Sequence, residues 1–302
     1  MISVVGASGQ TGKVVAERLL DRHQAVRVIG RSPDKLQPLV ARGAEAAVGD
    51  VADVAFLTDA FRGADAIYAM MPPDYHDPDY FGRYDRIGTA LTRAIQDGGV
   101  RHVVFLSSLG AEHASGTGPI VGLHRTEGRL AQIPNVNLII LRPGAFYENH
   151  FGSLPMIKHM GIHGNVTRPD AVVPMIASHD IGVAAADVLQ QAIEGVSGGA
   201  AGSVTVRELQ GPRDYTYADT TRIIGERIGR PELPYVQLSD ADMIGGLQQA
   251  GFPQPIAALF VEMGQAFNQG LVRAHEARHA GNTLPTTFES FADVLAGAYR
   301  AM

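Results

Sequence analysis

The sequence predicts an α/β fold: a doubly wound parallel sheet over residues 1–150, then a small C-terminal α/β lobe over 151–302 with some segments returning to the sheet. Three observations predict it. Short apolar runs alternate with amphipathic stretches of helical length through the first half. The runs are mostly apolar and are separated by segments of helical length, as in a parallel sheet covered on both faces. The first run leads straight into a glycine-spaced turn, Gly6-Ala7-Ser8-Gly9-Gln10-Thr11-Gly12. Right-handed crossovers between such strands then wind helices onto both faces.

The elements follow in order. Residues 2–6 read as a strand and 10–22 as a helix. Val26 to Ile29 is the second strand, with a helix near 33–42. A third short strand covers 45–48, with a helix near 53–61. Ala64 to Ala69 is the fourth strand, before a helix over 82–97. His102 to Leu106 is the fifth, before a helix over 120–132, and Val136 to Leu141 the sixth. From 144 to 176 there is little periodicity. A helix resumes after Ser178-His179-Asp180, with Ser178 or Asp180 as its expected cap. Gly195 to Gly202 reads as a surface linker. Residues 203–210 look like a strand, and helices are expected near 217–228, 239–250, 255–280 and 286–299.

Composition narrows the function classes. A net charge of −6 argues against general nucleic-acid binding, which needs a basic excess. The absence of cysteine removes disulfides, thiolate catalysis and cysteine-held metals. No apolar run approaches the roughly 20 residues of a membrane helix, and no leader-like segment opens the chain. The expectation is a cytoplasmic protein acting on a small molecule, with no nucleic-acid or membrane partner. No coiled-coil seam or unpaired edge is legible, which leaves an oligomer open.

The chemistry begins at the glycine turn. Its spacing is Gly-x-x-Gly-x-x-Gly, between a strand and a helix. The first glycine allows the tight turn, the second lets the backbone approach a pyrophosphate, and the third lets helix and strand pack. The helix N-terminus offers N–H groups and a partial positive charge to phosphates, the arrangement of Rossmann dinucleotide sites. Ser8, Gln10 and Thr11 add side-chain donors. Where an NAD-type site carries an acid after the second strand, this chain has Gly30-Arg31. A guanidinium there suits a 2′-phosphate, with Lys35 assisting, so the expected cofactor is NADP(H). Asp50, with Val51 beside it, is the candidate for the adenine edge.

At these residues the sequence resembles the NmrA-like branch of the atypical short-chain dehydrogenase/reductase superfamily. The resemblance rests on Val5 to Gly12, Gly30-Arg31, Gly49-Asp50 and Leu106-Ser107-Ser108. It continues through Leu141-Arg142-Pro143-Gly144-Ala145-Phe146-Tyr147-Glu148-Asn149, Asp180-Ile181-Gly182 and Gly211-Pro212. It implies an NADP-linked fold with a C-terminal substrate lobe, in a family that includes quinone oxidoreductases, other small-molecule reductases and dinucleotide-sensing regulators. It also implies that Pro143 and Gly144 lie near the nicotinamide and that Met70, Met71 and Pro72 border the cofactor ribose.

The superfamily's usual Tyr-x-x-x-Lys pair is missing. No tyrosine lies between Tyr84 and Tyr147, and no lysine between Lys35 and Lys158. Quinone reduction does not need the pair, because the reduced oxygen is a weak base and the protein's task is to hold the acceptor in a dry pocket. The expected activity is therefore NADPH-dependent hydride transfer to a quinone-like or other conjugated acceptor. The alternative is an NADP-sensing regulatory protein without turnover. The polar candidates near the reacting centre are Ser107, His124, Tyr147 and Asn149, while Glu127 is expected to partner nearby backbone or Arg142. His275-Glu276-Ala277-Arg278-His279 matches the zinc spacing H-E-x-x-H. It lacks a third ligand and the metzincin continuation, so no metal is assigned, and His275 is expected to flank a buried helical stripe through Phe267 and Leu271. His159 and His163 share the i, i+4 spacing with no carboxylate nearby.

Overall fold

A computed structural model describes residues 1–196 and 201–302. The first six strands are β1 (Ile2–Val5), β2 (Val26–Gly30), β3 (Glu45–Val48), β4 (Ala66–Met70), β5 (His102–Leu106) and β6 (Asn137–Pro143). Between them lie α1 (Gln10–Asp21), α2 (Pro33–Val40), α3 (Val54–Phe61), α4 (Tyr80–Gly98) and α5 (Val121–Leu130). Then come β7 (Ala145–Phe146), α6 (Leu154–Met160), β8 (His163–Asn165), β9 (Met175–Ile176), α7 (Ser178–Ile193) and β10 (Val204–Leu209). The chain ends with α8 (Tyr217–Ile228), β11 (Tyr235–Gln237), α9 (Asp240–Gln249), α10 (Gln254–Asn268) and α11 (Phe288–Ala301).

Seven strands form one parallel sheet in the order β10-β6-β5-β4-β1-β2-β3. The central strands are buried on both faces, and alternate residues serve opposite layers. Ile2 and Val4 of β1 pack with Val15 and Leu19 of α1, Leu36 and Leu39 of α2, and Leu189 of α7. Val5 packs with Leu57 and Phe61 of α3, Ile87, Leu91 and Ile95 of α4, and Leu130 of α5. The winding reverses between β1 and β4, and the crevice for a ligand opens there, at the carboxyl ends of the strands.

The segment that lacked periodicity pairs in short pieces, β7 with β9 and β8 with β11. A further core joins Tyr147, Leu154, Ile157, Tyr215, Ile223, Phe288, Phe291 and Leu295, drawn from the turn after β7, from the segment before α8 and from α6, α8 and α11. Three expectations change. Helix α10 stops at Asn268 instead of running to 280, because Gly270 takes φ +67° and Leu271 N–H bonds back to Ala266 O at 2.9 Å. His275 therefore flanks no helical stripe; it is exposed, on an irregular segment. Ser178 and Asp180 do not cap α7. The carboxylate of Glu148 accepts from the N–H of Ser178 at 3.1 Å, while Asp180 accepts from the N–H of Thr286 at 2.9 Å. The expected linker at 195–202 includes residues 197–200, which lie outside the described residues.

Two histidines are sealed in the lobe. His150 and His163 stand 5.4 Å apart, centroid to centroid, among Tyr217, Tyr235 and Phe288. Thr221 spends its hydroxyl proton on Tyr217 O, so the network assigns the proton of His163 to Nδ1, which donates to Thr221 Oγ1 at 2.7 Å. Its Nε2 is buried without a partner. Burial holds His163 down to about 4, and burial together with His163 holds His150 well below 6.5. The unfolded chain then binds protons that the folded chain refuses. Stability is present above about 6.5 and is lost as pH falls toward about 4. Thermal melts across this window are expected to show a shallower acid slope for His150→Phe than for wild type; parallel slopes would refute the assignment.

Candidate functional site

The crevice is built from the turn after β1. The N–H groups of Gly6 and Ala7 both donate to Ile29 O, at 3.1 and 3.2 Å, which bends the chain over β2. Gly6 has φ +69°, and a Cβ on it would stand 2.7 Å from Met70 Sδ. A Cβ on Gly12 would stand 2.4 Å from Gly6 O. Helix α1 therefore begins directly over the turn. Its N-cap, Gly9, has no side chain to satisfy the first N–H groups, and no acidic residue lies in its first turn. Such a helix end is complementary to an anion. Ser8 and Gln10 are exposed beside it. Thr11 is 4% exposed and accepts from the hydroxyl of Tyr68 at 2.9 Å, so its side chain faces the core and leaves the crevice to backbone donors.

One end of the crevice lies over β2 and β3. Gly49 N–H donates to Gly30 O at 3.1 Å, which puts Asp50 beside Arg31. Arg31 and Lys35 are exposed. Asp50 Oδ1 accepts from Ala52 N–H at 3.0 Å, and Val51 is buried beneath.

The other end lies over β4, β5 and β6. The register pairs Met70 with Leu106 and Leu106 with Leu141. Ser107 N–H donates to Leu141 O at 2.8 Å and Leu109 N–H to Pro143 O at 3.0 Å, so Met70, Ser107 and Pro143 share one edge, continued by Met71, Pro72 and Gly144. The hydroxyl of Ser107 donates to Glu127 Oε1 at 2.5 Å. Arg142 clamps the same carboxylate, Nε to Oε1 at 3.0 Å and Nη2 to Oε2 at 2.6 Å, and reaches Glu112 Oε2 at 3.2 Å. Burial alone would lower the pKa of Arg142, but Glu127 and Glu112 outweigh it and raise it. A serine has one proton to donate. With that proton on Glu127, Ser107 offers only lone pairs to a ligand.

The remaining candidates are scattered. His124 on α5 is tied through Nδ1 to Ala111 O at 2.8 Å. Tyr147 is fully buried, donates to Thr286 O at 3.1 Å and packs on Phe288, and burial pushes its phenol pKa up. Asn149 is exposed. The His275 to His279 segment is structural. The N–H groups of His275 and Glu276 donate to Glu208 at the end of β10, His275 Nε2 meets Glu112 Oε1 at 3.0 Å, and Arg278 pairs with Asp214. Among the described residues no cluster of metal-ligating side chains forms. Sequence reasoning missed Tyr68, Glu112 and Arg83, which touch the site's frame from a strand interior, a loop and a helix whose sequence carries no motif. Among the described residues no helix is long and apolar enough to cross a membrane.

A family model described as NAD(P)H-binding matches residues 6–192. The (4-alkanoyl-5-oxo-2,5-dihydrofuran-3-yl)methyl phosphate reductase of Streptomyces griseus is 28% identical over 270 residues, covering 89% of this chain and 88% of its own. Quinone oxidoreductase 2 of Escherichia coli is 26% identical over 276 residues, covering 89% of each. The crystal structure of the Escherichia coli NADPH-dependent quinone oxidoreductase complexed with NADPH superposes with a TM-score of 0.79 at 25% identity, covering 98% of this chain and 99% of that one.

Glu127 is expected to be a structural hub. Glu127→Ala leaves Arg142 buried and half-paired, at a cost of about 3 kcal/mol in chemical denaturation. Combining it with Arg142→Met removes both charges and is expected to recover part of that loss. Full additivity of the two substitutions would disprove the coupling.

Proposed function

The chain belongs to the NAD(P)H-binding family and is an NAD(P)H-dependent oxidoreductase; we propose that it prefers NADPH and reduces a quinone-like or other conjugated small molecule. The observation that carries the reading is the pairing of an uncapped α1 over the glycine cradle with an edge at β5 that offers no proton. The glycines whose Cβ positions are already filled fit a pyrophosphate laid against backbone. Arg31 supports the 2′-phosphate, since its guanidinium is exposed where a discriminating acid would otherwise stand.

The reduced nicotinamide supplies a hydride when bound. The residues of the chain do the positioning. Ser107, its proton on Glu127, accepts a hydrogen bond from a ligand N–H or O–H. Met70 and Pro72 present mostly apolar surface along the same edge, with Met71 and Pro143 buried beside them. Helix α5 carries neither tyrosine nor lysine. The acceptor must therefore leave a weakly basic oxygen or nitrogen that water can protonate. The activities by which the relatives are named, a quinone oxidoreductase and a reductase of an unsaturated oxo-furan phosphate, fall in this class. The core around Tyr147 and Phe288 supports the lobe as the wall over the acceptor, with residues 1–150 and 151–302 as the two parts.

Absorbance at the reduced nicotinamide band, followed with a panel of quinones and enones, tests the proposal. Turnover with conjugated acceptors and none with simple ketones is expected. Tight NADP binding without any turnover would instead support a sensing role. Arg31→Asp is expected to weaken NADPH at least tenfold relative to NADH, as loss of one charge-assisted contact implies; an unchanged preference would remove Arg31 from the 2′-phosphate site.

A further inference from the structure

A cavity of about 410 Å³ lies between the segment before β9 and the segment after α10, a volume that suits a small molecule. It adjoins the β6 end of the crevice. Pro174 in its wall puts a carbonyl oxygen 2.5 Å from where a Cβ on Gly144 would stand. Val272 in its wall puts Cγ2 2.9 Å from where a Cβ on Gly110 would stand. Gly144 follows Pro143, and Gly110 follows Leu109, whose N–H bonds Pro143 O, so the cavity begins where the edge carrying Ser107 ends. Its lining has two characters. Pro174, Phe267 and Val272 make an apolar side, which Val172, 59% exposed, extends toward solvent. The polar side holds two carboxylates, and each already has a guanidinium: Asp170 accepts from Arg168 Nε at 3.1 Å, and Asp214 pairs with Arg278. Arg273 is left over. It is exposed in the lining, and among the described residues it makes neither an ion pair nor a side-chain hydrogen bond.

Resting on the reductase reading above, we propose that this cavity holds the far end of the acceptor and selects a conjugated molecule that carries an anionic group on a side chain, with Arg273 as the residue that reads the charge. The ring occupies the edge, the stem of the side chain lies on the apolar side of the cavity, and the anion meets Arg273. Three guanidiniums stand against two carboxylates around this space, so the surplus charge is positive and an anion is the complement. The Nη groups of Arg168, which Asp170 leaves free, add donors to the same side. The pair forms at a partly exposed place, so it contributes modestly to affinity and chiefly to the choice between acceptors. The charge lies away from the reacting carbon, so it acts on binding more than on the hydride step.

Steady-state kinetics with NADPH and two acceptors, a naphthoquinone bearing a propionate side chain and the methyl ester of the same compound, tests this. The methylene spacer keeps the electron affinity of the ring alike in the two. Wild type is expected to show a kcat/KM about fivefold higher for the acid, carried by KM, as a partly exposed ion pair implies. The advantage is expected to shrink as salt is raised. Arg273→Gln is expected to bring the acid-to-ester ratio close to one, and Arg273→Lys, which keeps the charge, to retain part of it. Equal kcat/KM for acid and ester in wild type, or a ratio untouched by Arg273→Gln, would overturn the proposal while leaving the reductase reading in place. A ratio that Arg273→Gln alters through kcat alone would overturn it in favour of a structural role for Arg273. Absence of turnover with both acceptors would remove the reductase reading and this proposal with it.

Discussion

The approach of Gly12 to the carbonyl of Gly6, with 2.4 Å left where a Cβ would stand, is the constraint on which the crevice depends. It lets α1 start where β1 ends, so the open N–H groups of the helix face the turn directly. Any side chain at that position would lift the helix from the strand and take those donors with it. The same turn rests on Met70, the last residue of β4, whose sulfur fills the space beneath Gly6. The cradle is thus shared by β1 and β4, the strands between which the winding reverses. Topology places the opening, and the glycines make it shallow enough for a ligand to meet backbone.

A second constraint organises the opposite end. Glu127 and Arg142 are largely buried, and taking two charges from water is costly unless every donor and acceptor is used. Here most are: Arg142 spans Glu127 and Glu112, and Glu127 also takes the proton of Ser107. The network ties together the ends of β5 and β6, helix α5 and, through His275 on Glu112, the irregular segment after α10. An apolar core of the same volume could hold these elements equally well. What it could not do is fix which way the hydroxyl of Ser107 points. Orientation, more than stability, is what the buried charges contribute.

Six strands and five helices of the first half were legible within two residues, because the strands leave short, mostly apolar runs and the helices between them keep a clear period. The cradle was legible for the same reason: the glycines serve backbone geometry, which sequence spacing encodes directly. The second half resisted. Two- and three-residue strands such as β7 and β8 are too short for a period to show, and α10 ended at Asn268, just before Gly270, although Phe267, Leu271 and His275 kept helical spacing. Side-chain roles were the least legible. Thr11, Tyr147 and Asn149 sit close in sequence to site residues, yet Thr11 turns inward, Tyr147 joins the lobe core and Asn149 faces outward. Nothing local distinguishes these fates, which are set by packing partners as distant as Tyr68 and Phe288.

The direction of the Ser107 proton bears on the chemistry more than the missing tyrosine alone. Hydride addition to an isolated carbonyl leaves an alkoxide, whose basicity is near that of hydroxide, about 16 on the scale of bulk water. A phenolic oxygen ionises near 10. The difference of roughly six units corresponds to about 8 kcal/mol of charge that an active site would otherwise have to stabilise in the transition state. A tyrosine, or a serine free to donate, supplies part of that. At this edge the serine points away and the phenol of Tyr147 is buried and engaged by Thr286. The part of the barrier that the protein leaves unmet must be absent from the substrate, and a conjugated acceptor, which spreads the arriving charge over its own π-system, is a substrate in which it is absent.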